Sequence, residues 1–75
     1  MRLDEAYLGQ NIRLISFGDT HPTYRSRLLS FGLTLGTEAL VVRRAPLGCP
    51  VQLEVRHTSI TLRQDEACSL IWESI

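Results

Sequence analysis

Apolar and polar positions alternate most cleanly in Val51–Arg56. Val51, Leu53 and Val55 share one parity there, and Gln52, Glu54 and Arg56 share the other. A period of two is the mark of a half-buried strand. The inward parity resumes at Ile60 and Leu62 after the polar turn His57-Thr58-Ser59, so a third and a fourth strand are expected in hairpin order. Upstream, Gly9 and Gly18 bracket Gln10–Phe17, whose apolar residues Ile12, Leu14, Ile15 and Phe17 predict a first strand. The β-branched and aliphatic run Thr37–Arg44 predicts a second. Downstream, Asp65-Glu66-Ala67 reads as a tight turn, after which Cys68, Leu70 and Trp72 alternate into a last strand.

Between the first two strands the period changes. Tyr24, Leu28 and Phe31 recur at spacings of four and three, which places them on one helical face, with Arg25 and Ser26 opposite and Arg27 towards the flank. Asp19 or Thr20 can cap this helix, Pro22 suits its first turn and Gly32 its end. Leu33-Thr34-Leu35-Gly36 then makes a turn that closes on a residue free to take a positive φ. Ala45-Pro46-Leu47-Gly48-Cys49-Pro50 carries two prolines and a glycine, which no ladder tolerates, and is expected to be a loop.

A flat sheet this small would leave raw edges and a bare face, whereas closure removes both. The expected architecture is therefore mainly β: a small five-stranded SH3-like barrel, one domain over residues 1–75, with one short helix between strands 1 and 2 covering an open end. Its expected core is Ile12, Leu14, Leu40, Val42, Val51, Leu53, Val55, Ile60, Leu62, Leu70 and Trp72. Strand 2 is the ambiguous element, because Ala39-Leu40-Val41-Val42 is apolar on both faces.

Composition narrows the function more than the fold. A chain of 75 residues buries only about 60% of the surface its unfolded form exposes, which leaves a thin stability margin. Eight basic residues balance eight carboxylates, so nothing in the net charge favours a dedicated nucleic-acid or membrane-surface binder. No apolar run approaches the ~20 residues of a membrane span. Met1-Arg2-Leu3-Asp4-Glu5 is acidic where a signal peptide would be apolar, so a cytoplasmic location is expected. All the basic residues are arginine, a bias that either codon usage or recognition of carboxylate and phosphate groups can produce.

Enzyme chemistry finds no foothold. A phosphate cradle of the P-loop kind ends in a lysine, and the chain has none. No G-x-S-x-G elbow or H-E-x-x-H helix is present, and no catalytic residue is assigned. His21, His57 and Cys49 are weak candidate metal ligands, none spaced as zinc sites require. Both histidines read as solvated and Cys49 as exposed in its loop, so no cofactor is expected beyond adventitious zinc or iron. Cys68 falls on the inward parity of the last strand and reads as a core thiol. The aromatic residues Tyr7, Phe17, Tyr24, Phe31 and Trp72 are spread along the chain, with only Tyr24 and Phe31 in one element and those on its inward face, which provides no stacking face for single-stranded nucleic acid and no aromatic groove for proline-rich peptides.

The middle of the chain is more telling. Tyr24-Arg25-Ser26-Arg27-Leu28-Leu29-Ser30-Phe31-Gly32-Leu33, then Gly36, then Val42-Arg43-Arg44-Ala45-Pro46-Leu47-Gly48-Cys49-Pro50, then Leu62-Arg63 before Asp65-Glu66-Ala67, resembles the FeoA family, ferrous iron transport protein A. The A-P-L-G-x-P loop is the most specific element. Cys49 stands where the family usually has aspartate, and Leu35 where a proline often precedes the glycine.

The resemblance implies a cytoplasmic SH3-like accessory protein that docks on the GTPase-bearing cytoplasmic region of a FeoB-type ferrous-iron transporter and modulates Fe(II) transport. No nucleic acid, no insertion into the bilayer and at most a weak homodimer are expected. Arg25, Arg27, Leu29, Leu33 and Leu47 are the candidate contact residues: the leucines have no place in the strand parity, and the arginines can supply a charged rim. Leu47 has a second reading, as a plug over the barrel end. The same barrel resembles the C-terminal module of iron-dependent repressors, which keeps a second function open: a small metal-responsive protein binding a transition-metal ion through Cys49 and a histidine.

Overall fold

The computed structural model describes residues 1–45 and 50–75. Five strands, β1 (Asn11–Ser16), β2 (Glu38–Arg44), β3 (Val51–Val55), β4 (Thr58–Leu62) and β5 (Ile71–Ser74), form one antiparallel sheet in the order β4-β3-β2-β1-β5. Helix α1 (Pro22–Ser30) lies between β1 and β2, as the period change predicts. The expected tight turn at Asp65-Glu66-Ala67 is instead a short helix, α2 (Gln64–Ala67), and β5 begins three residues later than Cys68.

Nine of the eleven expected core residues are buried: Ile12, Leu14, Val51, Leu53, Val55, Ile60, Leu62, Leu70 and Trp72. They meet in pairs across the ladder, Leu14 opposite Trp72, Leu53 opposite Ile60 and Val51 opposite Leu62. The other two, Leu40 and Val42, are corrections. In β2 it is Ala39 and Val41 that face the core, while Val42 is largely exposed. Pairing decides this. Ala39 lies opposite inward Ile12 and Val41 opposite inward Leu53, and directly opposed residues point to the same face. A register shift between Val41 and Arg43 leaves Val42 as the extra residue of a bulge.

The ends of α1 also differ from expectation. Neither Asp19 nor Thr20 caps it. Thr20 is buried, and its hydroxyl donates to the Phe17 carbonyl at 2.5 Å, closing the turn that leaves β1. The cap is His21, whose Nδ1 accepts the Thr23 amide at 3.1 Å ahead of Pro22 at the first helical position. At the other end Gly32 (φ +89°) donates to the Leu29 carbonyl and Leu33 to the Leu28 carbonyl, both at 3.0 Å. That pair of bonds is a Schellman motif, in which a glycine reverses the chain and the next apolar residue packs back on the helix. Leu33 is consequently in the core, and Phe31, expected on the inward face with Leu28, is left exposed.

The N-terminal segment, outside the periodic pattern, completes the core with Leu3 and Ala6. Arg44 holds it in place by donating from Nη2 to the carbonyls of Leu3 and Ala6. Met1 covers the outer edge of β5: its ammonium donates to the Trp72 carbonyl at 2.5 Å, and the Trp72 amide donates to the Met1 carbonyl at 2.7 Å. On the exposed face of the sheet Arg13 bridges Glu73 (2.9 Å) and Glu38 (3.4 Å), solvated pairs worth under about 1 kcal/mol each.

Candidate functional site

Two hollows flank α1. The larger, a cleft of about 540 Å³, opens between its first turns and the α2–β5 corner. His21, Tyr24 and Arg27 form one wall, and Asp65, Glu66, Cys68 and Ser69 the other. The smaller, about 310 Å³, lies between Arg27 and Phe31 at the end of α1 and residues Thr58–Thr61 of β4. Arg27 borders both, and among the described residues it makes no ion pair.

The cleft has an electrostatic gradient. The Arg27 guanidinium stands 6.0 Å from the centre of the Tyr24 ring, at the outer limit of a cation–π contact. Tyr24 is half-buried and its phenol is raised above the ordinary value near 10. Desolvation is the largest cause, then the Glu66 charge, with Arg27 opposing and Asp65 adding. The Tyr24 phenol is thus under opposing charges, Arg27 on its own helix and Glu66 and Asp65 on the far wall, and Asp19 also lines the α1 side of the cleft.

Of the sequence-predicted contact residues, Arg25, Arg27 and Leu29 are exposed on α1, with Leu29 45% accessible. Leu33 is a correction: it is fully buried by the Schellman reversal and can touch no partner. Leu47 and Cys49 lie outside the described residues. Cys68 is a second correction, since it follows α2 on the surface and lines the cleft instead of entering the core. Its thiol lies 3.6 Å from the Asp65 carbonyl.

Of the candidate metal ligands, the two described ones, His21 and His57, are not brought together. His21 sits at the mouth of the cleft, with its Nδ1 engaged in the cap, whereas His57 lies at the β3–β4 hairpin beside a shallow hollow of about 270 Å³ with Glu38 and Glu54. Among the described residues no three His, Cys, Asp or Glu side chains converge on a point that could hold a metal ion. Sequence reasoning missed the acidic wall. The available signal was Gln64-Asp65-Glu66-Ala67, good helix formers with carboxylates placed for a first turn.

A five-stranded antiparallel sheet with one helix in its first connection and open hollows beside that helix is the architecture of a small SH3-like domain. The FeoA domain profile matches residues 1–73, and the chain belongs to the FeoA family. The solution structure of a FeoA protein from Chlorobium tepidum superposes with a TM-score of 0.90 at 31% identity, covering 100% of this chain and 70% of that one. The crystal structure of Stenotrophomonas maltophilia FeoA complexed with zinc, described as a prokaryotic SH3 domain protein, gives 0.79 at 29% identity over 97% of this chain and 89% of the other. A manganese-dependent transcriptional repressor shares the fold alone, with a TM-score of 0.87 at 16% identity; this chain spans 36% of its length. No helix among the described residues is long and apolar enough to cross a membrane.

Proposed function

We propose that this chain is a cytoplasmic accessory protein of ferrous-iron uptake, without chemistry of its own, which docks through α1 on the cytoplasmic GTPase-bearing region of a FeoB-type transporter and modulates Fe(II) transport. The observation that carries this reading is the outer side of α1. Arg25 and Leu29, four residues apart, form an exposed stripe, Arg27 lies on the opposite flank beside Tyr24, and neither arginine has an ion-pair partner among the described residues. An apolar side chain with one unpaired guanidinium beside it suits the centre and edge of a protein contact. Family membership supplies the system, and the Stenotrophomonas relative is described as a candidate ferrous iron transport activating factor.

Without Leu33 the contact is smaller than the sequence implied, which favours transient, micromolar-grade association over a permanent complex. Calorimetric titration of the purified transporter's cytoplasmic region with wild-type chain, Leu29→Asp and Leu47→Asp measures it. Leu29→Asp is expected to raise Kd by more than about tenfold at an unchanged melting temperature, because a charge buried at an apolar contact is not resolvated. Wild-type binding by the folded Leu29→Asp protein would overturn this docking face.

A further inference from the structure

The two edges of the sheet are treated differently. The β5 edge is covered by Met1, which exchanges two backbone bonds with Trp72. Among the described residues the β4 edge is bare: β4 pairs there only with β3, in the register Val55 opposite Thr58, Glu54 opposite Ser59, Leu53 opposite Ile60 and Gln52 opposite Thr61. A two-residue hairpin loop makes Val55 and Thr58 the hydrogen-bonded pair, and bonding then alternates along the ladder. The N–H and C=O of Ser59 and Thr61 therefore point away from β3, and neither has a backbone partner among the described residues.

Natural sheets blunt free edges with lysine, proline, a bulge or a covering segment. Thr58-Ser59-Ile60-Thr61-Leu62 contains no charge and no proline, and its pairing with β3 runs without a register shift. In place of a cover it has a groove, with Phe31, 55% exposed, and Arg27 across from the strand. This arrangement provides two outward backbone pairs, an aromatic face and a cation.

From these features we propose that the β4 edge is a second binding site, which takes an extended, acidic segment of a partner protein as an added antiparallel strand. Backbone pairing with Ser59 and Thr61 supplies affinity, as in other cases of strand addition, and an apolar side chain of the segment rests on Phe31. Charge selects the ligand. Arg27 faces the groove and Arg63 follows the far end of β4, while Arg56, in the β3–β4 hairpin loop, lines a separate hollow with Glu38 and Glu54. Arg63 shares its charge with Asp65 at 3.7 Å in an exposed pair, and Glu54 lies one strand inward, opposite Ser59.

The same charges disfavour a second copy as occupant. Antiparallel self-pairing of β4 centred on Ile60 would bring Arg56 of one chain diagonal to Arg63 of the other at both ends, and like charges brought together across a strand pair disfavour it. This site goes beyond the transporter-docking reading and is tested without the transporter.

The experiment records amide NMR spectra of the full chain while a blocked peptide of alternating valine and glutamate is added, with the valine–lysine peptide in parallel. The acidic peptide is expected to shift the Ser59 and Thr61 amides and the Arg27 Nε–H signal, and the basic one to leave them in place. Thr61→Pro removes one outward donor at a position where an edge strand tolerates proline, and Arg27→Glu reverses the selecting charge. Each is expected to weaken the acidic peptide about tenfold, the effect of one lost hydrogen bond or charge contact. Unmoved Ser59 and Thr61 amides, shifts confined to the α1–α2 cleft, equal response to both peptides, or undiminished binding by folded Arg27→Glu would each overturn the proposal. Shifts of the same amides on concentrating the protein alone would assign the edge to a second copy and overturn it as well.

Discussion

Gly18 and Ser69 touch backbone to backbone: Gly18 holds φ +56°, and a Cβ at this position would overlap the Ser69 carbonyl oxygen. The contact pins the turn that leaves β1 to the turn that enters β5, and these two turns carry opposite walls of the α1–α2 cleft. Gly32 also has a positive φ, but a Cβ there meets open space.

The comparison of these glycines is a direct prediction. Gly32→Ala incurs only the left-handed backbone penalty, about 1 kcal/mol. Gly18→Ala adds a steric overlap with backbone that cannot rotate away, for a total of about 2–4 kcal/mol. Urea denaturation of both variants measures the difference, which is a large share of the stability of a domain this small. Equal midpoints for the two would show that the β1–α1 and α2–β5 turns are not in contact.

The parity of β2 gives the second prediction. Val41→Ala is expected to cost about 2–3 kcal/mol, the loss of two buried methyl groups plus the cavity they leave. Val42→Ala, at the exposed bulge, should stay within about 0.5 kcal/mol of wild type. Thermal melts of the two variants, side by side, report which of them faces the core.

The same strand marks the boundary of what the sequence made legible. β3 and the inward residues of β4 were readable because each alternates with polar residues on its outer parity, although Thr58 and Ser59, read as turn, belong to β4 and the loop is Arg56-His57. In β2 the positions 39–42 are apolar throughout, and orientation came from the neighbours Ile12 and Leu53, information that no local window holds. Helix α1 was legible in its existence and position but not in its burial. Phe31 satisfies the helical spacing, yet it sits at the C-cap, where Gly32 turns the chain and hands its core place to Leu33. The glycine–leucine pair at the helix end was the readable signal for that exchange. At the candidate site, exposed Arg25 and Arg27 were legible as polar positions of the helix, whereas Leu29 was singled out only for having no place in the strand parity, a criterion that buried Leu33 met as well. The acidic wall was not legible, because four residues are too few to show a helical period.

Cys68 supplies a third prediction. Alternation through Leu70 and Trp72 assigned it to the core, but α2 intervenes and leaves the thiol on the surface. In a Cys49→Ser background, Cys68 in the native protein should react with an aromatic disulfide reagent at a rate close to that seen in urea, because reaction follows access to the thiolate. Labelling that appears only on unfolding would return Cys68 to the core.

The last prediction concerns pH and the cleft. The Tyr24 phenol is raised, first by desolvation and then by Glu66. Below the ordinary tyrosine value near 10, folded and unfolded chains both keep this proton, so the tyrosine leaves stability unchanged with pH. Above it the unfolded chain ionises first while the folded chain still holds the proton. Stability therefore falls as the pH rises past about 10, and this contribution levels off once the folded phenol has also ionised. The wild-type minus Tyr24→Phe difference in phenolate absorbance isolates the group, and its midpoint should lie above that of a free tyrosine. Glu66→Gln removes a charge that opposes ionisation and should lower the midpoint. Arg27→Gln removes one that favours it and should raise the midpoint. Shifts of the same sign in the two variants would mean that Glu66 and Arg27 do not act on the Tyr24 phenol as opposing charges.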